Sequence, residues 1–268
     1  ASPAEVGISS DLITMGKSDM KLNAVVKNPL AAFSSEKSVS SDISLRSSLL
    51  DLNEWNSTST ASTSKAAQAE VKPDEALLKN SNLHLDLKAD KVIYDKYTLE
   101  NLALHGDLAA NAIKLENLST SVKGSDMKLS GSLANAYDYL FNQGMLDGNL
   151  LFTSDRFNAN QFLTTGSAAD TVKGVIPVPE RVRVQVDARI RDLTYTNLNL
   201  RDFEGVLEVK DREVAIRDMK TNTLGGTIAM QGLYNTKDLN NPDFAIKLDL
   251  SQIKFAEAIK KIDLLRKA

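Results

Sequence analysis

The chain has 268 residues, 42% of them apolar, and its 32 basic and 35 acidic side chains leave a net charge of −3. That balance excludes a phosphate-tracking surface, and so nucleic acid as a partner, because displacing counterions from a polyanion needs a concentrated positive field. The absence of cysteine removes disulfides, thiolate metal sites and thiol catalysis, and no stretch reaches the roughly 20 apolar residues of a membrane-spanning helix.

Taken in chain order, the first element is a partial β repeat over residues 1–55. It contains Ser-Asp-Met-Lys-Leu at positions 18–22, a pentapeptide that returns unchanged at 125–129 and in diverged form at 226–230. In register the three segments read Met20, Leu22, Ala24, Val26; Met127, Leu129, Gly131, Leu133; and Ile228, Met230, Gly232, Tyr234. Apolar residues at every second position mark a strand with one buried face, and a small third residue marks a close approach or a bend. Repetition at a fixed spacing points to one unit used more than once.

A linker rich in Ser, Thr, Ala and Lys covers 56–80, with too few large apolar groups to offset ordering entropy. A second β repeat follows over 81–163, opening with Leu83, Leu85, Leu87 and Ala89. Residues 164–181 form a Pro-containing linker ending in Ile-Pro-Val-Pro-Glu, which the prolines hold extended. The third repeat, 182–268, opens with Val182, Val184, Val186, Ala188 and Ile190 and keeps the order of parts of the second. Each repeat ends in a segment of helical spacing, near Trp55, Phe162 and Ile259, with Ser48, Ser154 or Ser251 placed to cap its first turn. The final stretch sets Phe255, Ile259 and Ile262 on one face, the pattern of an amphipathic helix.

These patterns predict a mainly β fold, an antiparallel, curved, repeat-built sheet with a few short helices. Short links at Gly124, Asp211 and Gly225 suit meanders. Helices this few do not cover a dozen strands, so the apolar face is met by a second sheet or is left as an open groove for a ligand.

Chemistry is sparse. His84 and His105 alternate with apolar neighbours and belong on the solvent side, and no metal-ligand spacing surrounds them. No serine lies in a nucleophile elbow, and the glycines at 124, 225 and 226 lack the Lys-Ser/Thr of a phosphate loop. Acidic pairs such as Asp86 and Asp90, or Asp211 and Glu213, sit on polar strand faces. No catalytic residue, metal or cofactor is expected, and the chain reads as a non-enzyme.

The run from Ile176-Pro-Val-Pro-Glu through Tyr195, Gly205, Thr223-Leu-Gly-Gly-Thr-Ile-Ala-Met-Gln-Gly-Leu-Tyr-Asn and Pro242-Asp-Phe-Ala-Ile-Lys-Leu-Asp-Leu resembles the C-terminal region of AsmA-like proteins of the Bacteroidota type. The resemblance implies an envelope protein on the periplasmic face of the inner membrane, its anchor helix outside this stretch. It further implies a β groove that shields phospholipid acyl chains between inner and outer membranes. The expected lining is Met20, Leu22, Leu85, Leu87, Met127, Leu129, Val184, Val186, Ile228, Met230, Ile246 and Leu248. The competing reading is a structural or interaction protein whose apolar faces pack on each other.

Overall fold

The computed structural model describes residues 5–30, 39–57, 81–109, 111–163, 177–254 and 256. Among the described residues the chain is mainly β, thirteen strands in one hydrogen-bonded order with three short helices. The strands are β1 (Glu5–Met15), β2 (Ser18–Lys27), β3 (Val39–Asp51), β4 (Ser81–Tyr94), β5 (Tyr97–Ala109), β6 (Ala112–Val122), β7 (Ser125–Ala134), β8 (Leu146–Asn158), β9 (Val182–Tyr195), β10 (Leu198–Lys210), β11 (Glu213–Thr223), β12 (Gly226–Asn235) and β13 (Asp243–Ser251). They neighbour one another in chain order. The helices are α1 (Leu52–Ser57), α2 (Ala136–Phe141) and α3 (Asn160–Leu163).

The repeat is a five-stranded unit, β4 to β8 and again β9 to β13, with β1 to β3 matching the last three strands of the others. Within a repeat the pairs with a defined register are antiparallel, as expected. Between repeats they are not. β3 runs parallel to β4, from Val39↔Ser81 to Asp51↔Ile93, and β8 runs parallel to β9, from Leu146↔Val182 to Asn158↔Thr194. The expectation of a wholly antiparallel sheet is corrected there. A parallel pair needs a connection of a dozen residues or more, and the long segments after β3 and β8 supply it.

Two compact units divide the chain, Ala1–Lys123 with Ser130–Asn142, and Gly124–Leu129 with Gln143–Ala268. This division cuts the second repeat, so compact units and sequence repeats are different partitions. In the first unit Leu50, Ala89 and Val92 form a small core, with Met20, Leu52, Leu87, Leu99 and Leu102 packed against it. In the second, Ile190, Leu193 and Leu200 form the matching core, with Phe152, Phe157, Ala159, Leu198 and Phe203 around it. Phe157 stacks on Phe162 at 5.2 Å and meets Phe152 edge-on at 5.6 Å.

β-Bulges decide where these cores lie. The register shifts between Glu100↔Ser121 and Ala103↔Ser119 of β5–β6, and between Arg201↔Asn222 and Glu204↔Lys220 of β10–β11. At the same level the β3–β4, β4–β5 and β9–β10 ladders each lack one pair without changing register. At this level the inward set changes parity: Leu83, Leu85, Leu87 and Ala89 give way to Val92, and Phe203 gives way to Leu200. An extra residue also bends a strand, here helped by the left-handed Asn101 and Asp202. Gly106 lies at a further irregularity, where an added Cβ would sit 2.6 Å from the Lys114 carbonyl oxygen of β6.

Repeated side chains take up backbone groups of β3 and β8 beyond the last β2–β3 ladder pair, Lys21↔Arg46, and at the equivalent place in the second repeat. The Asp19 carboxylate accepts from the backbone N–H groups of Ser48 and Leu49, and the Ser18 hydroxyl accepts from that of Asp51. Asp126 accepts from Asp155 and Arg156, and Ser125 from Asn158, in the same arrangement. Thr120 and Thr221 donate to the carbonyls of Glu100 and Arg201. This is the physical content of the repeated Ser-Asp pair. The third copy has Gly226 and Thr227 instead. There the β12–β13 ladder runs unbroken from Asn235↔Asp243 to Thr227↔Ser251, and a side chain at 226 would overlap the Ser251 carbonyl oxygen.

One expectation is corrected at the strand ends. Ser48 and Ser154 lie within β3 and β8 and are not helix caps; Asp51 and Asn158 accept from the N–H groups of Asn53 and Asn160 instead. The end of the Pro-containing linker is docked, with Val178 buried and its N–H bonded to the Thr236 hydroxyl. The side chain of Trp55, Ile259 and the amphipathic segment 257–265 lie outside what the structure describes, as does most of both linkers.

Candidate functional site

The candidate site is an apolar sheet face, and it assembles from pair registers. In the first unit Leu22 of β2 lies opposite Leu45 of β3, which lies opposite Leu87 of β4, itself opposite Leu104 of β5 and so linked to Leu118 of β6. The adjacent row runs Ile8, Ala24, Ile43, Leu85 and Gly106. Directly paired residues share a face, so these rows form one aliphatic surface. From β2 to β6 its large side chains are half-buried.

The second unit repeats the design. One row reads Leu150, Val186, Leu207, Ile216, Gly232 and Ile246, and another Gly148, Val184, Val209, Val214, Tyr234 and Phe244. Met219, Met230 and Leu248 lie across from one another, as do Thr221, Ile228 and Leu250. Among the described residues no charged side chain lies in these rows in either unit.

All twelve expected lining residues lie on strands. Leu22 and Leu85 lie on the open face of the first unit. Met20 and Leu87 also lean on its core, so they serve packing as well as lining. Val184, Val186, Ile228, Met230, Ile246 and Leu248 share the face of the second unit, and Met127 and Leu129 are half-buried on β7. Sequence reading missed Ile43, Leu45, Leu104, Leu207, Val209 and Ile216. The same two-residue alternation carries them, and the pairings make them as central as the residues expected.

The opposite face is polar and laced with ion pairs. Lys27 meets Asp42 at 2.9 Å, Arg46 meets Asp86 at 3.1 Å, and Arg217 meets Glu208 at 2.8 Å. His84 and His105 lie there, as expected, their rings edge-on at 4.7 Å. His84 Nδ1 is 2.7 Å from Asp107, a hydrogen bond that raises the imidazole's pKa and lowers that of the carboxyl. The Arg46 guanidinium likewise holds the Asp86 carboxyl below the usual range. Among the described residues no group of three or more His, Cys, Asp or Glu side chains has the geometry to hold a metal ion.

The two surfaces therefore differ in kind: one aliphatic and uncharged, one ion-paired and solvated. No family model, no curated protein and no solved structure matches this chain. The physical contrast between the faces is what a functional reading has to explain.

Proposed function

We propose that the chain is a lipid-shielding module of the bacterial cell envelope, in which the aliphatic face of each unit covers phospholipid acyl chains on their way between inner and outer membranes. The observation that carries this reading is, in each unit, a regular apolar surface whose large side chains are mostly half-buried or exposed and among whose described rows no charge lies. A face meant to pack on a second layer is buried to the degree that Leu50, Ala89 and Val92 are. Self-packing accounts for the two small cores and leaves most of the face to something else. Covering an acyl chain removes a cost of about 0.8 kcal/mol per CH2, and mobile chains require only an apolar surface of flexible aliphatic and methionine side chains.

The resemblance of 176–250 to AsmA-like proteins supports the same reading and brings the periplasmic location with it. The reading assigns no catalytic step and no cofactor. The test is mass spectrometry of organic extracts of the purified chain, alongside a variant carrying Leu129→Asp and Met230→Asp. Phospholipid should co-purify with the natural sequence and be lost from the variant while the far-UV spectrum keeps its β signature. Lipid retained by the variant at the natural ratio overturns the proposed lining; a natural chain repeatedly free of lipid leaves the self-packed alternative.

A further inference from the structure

β13 has one hydrogen-bonded neighbour, β12, and no described residue pairs with its other edge. All nine of its residues are exposed, with Phe244 at 75%, Ile246 at 56%, Leu248 at 55% and Leu250 at 61%. Its place in the repeat is that of β3 and β8. Each of those carries a parallel strand on the corresponding edge, β4 and β9. An open edge of this kind is a template for a further strand.

Charge says which strand. On its polar side β13 presents Asp243, Lys247 and Asp249. β9 carries Arg183, Asp187 and Arg189 at the same spacing with opposite signs, and β4 carries Asp86 and Lys88 at the last two positions. Set parallel with Arg183 opposite Asp243, a β9-like strand places Asp187 opposite Lys247 and Arg189 opposite Asp249. It also places Val184, Val186, Ala188 and Ile190 opposite Phe244, Ile246, Leu248 and Leu250. Reversed, with Lys247 still opposite Asp187, Asp243 meets Arg191 but Asp249 falls opposite the neutral Gln185, so two pairs form where the parallel strand forms three. The joint between β8 and β9 already uses such pairs, Asp147 with Arg183 at 2.6 Å and Asp155 with Arg191 at 3.4 Å.

We infer that the free edge of β13 is a docking site for a parallel β-strand of another polypeptide, one with alternate aliphatic residues and an Asp-x-Arg or Asp-x-Lys pair on its polar side. The inference is independent of what covers the apolar face. Its probe is a synthetic peptide of residues 181–195 with a nitroxide at its N-terminus, added to the isotope-labelled full chain. Binding should protect β13 amides from exchange and broaden signals near Asp243 more than those near Ser251. Lys247→Asp with Asp249→Arg in the chain should weaken binding about tenfold, two cross-strand charge pairs having become repulsive. A peptide carrying Asp187→Lys and Arg189→Asp should restore it. These chain positions are exposed, so the variant keeps its fold. Absent binding, broadening centred on Ser251, indifference to the charge reversal, or self-association of the chain through this edge each overturns the proposal.

Discussion

Asp126 shows how much of this sheet rests on single polar side chains. Its partial burial disfavours the charge, yet the N–H groups of Asp155 and Arg156 and the hydroxyl of Ser154 together hold its carboxyl below the usual range. Ala at this position leaves those two backbone donors of β8 without their acceptor, and hydrogen bonds to a charged group contribute about 1.5–3 kcal/mol. Asp126→Ala should therefore destabilise the chain by about that amount in urea unfolding. The sign of the pH dependence follows from the lowered pKa. Stability from Asp126 is fully present above the unfolded value of about 4 and is lost as pH falls through the folded value. The difference between the natural chain and the variant should accordingly be constant near neutrality and shrink below about pH 4. A difference unchanged down to pH 2 would show that the carboxylate is not what holds these β8 backbone groups.

Helices α1 and α3 are too short to stabilise themselves, and their first turns act as latches on the next repeat. Asn160 donates from its side chain to the Thr196 carbonyl at 2.9 Å, and its side-chain oxygen accepts from the Thr196 N–H at 2.6 Å. Asn53 holds Asp95 in the same way. Asp95 and Thr196 both sit at positive φ, in the turns that begin β5 and β10. Asn160→Ala should speed hydrogen exchange of the Thr196 amide by at least about tenfold while leaving the centre of β9 protected; equal exchange in both proteins would refute the latch. Such latches show what the sequence discloses and what it hides. The alternation of Leu83 to Ala89 and of Val182 to Ile190 is a local signal, and it places strands, faces and most lining residues. The pentapeptide at 18–22 and 125–129 is visible as a repeat, but its purpose lies about 30 residues away, at Ser48 and Asp155. A parity change across a bulge looks in one dimension like the end of a pattern. Parallel pairing across a long connection leaves no local trace at all.

At the scale of the whole molecule, each unit pairs a charge-free apolar face with an ion-paired polar one, and this separation constrains what the proposed groove distinguishes. With no cationic side chain in the apolar rows, nothing there reads a phosphate headgroup, so selectivity has to come from the length of the hydrocarbon. Full shielding of two methylenes contributes about 1.6 kcal/mol. A face open on one side supplies about half of that, which is about fourfold in affinity for each two carbons. Competition between phospholipids of equal chain length with choline and glycerol headgroups should therefore differ by less than about twofold. A series shortened from eighteen to ten carbons should weaken steadily, step by step. A strong headgroup preference with no dependence on chain length would place the ligand on the ion-paired face instead, where Arg46, His84 and Arg217 lie, and the apolar rows would then need another occupant.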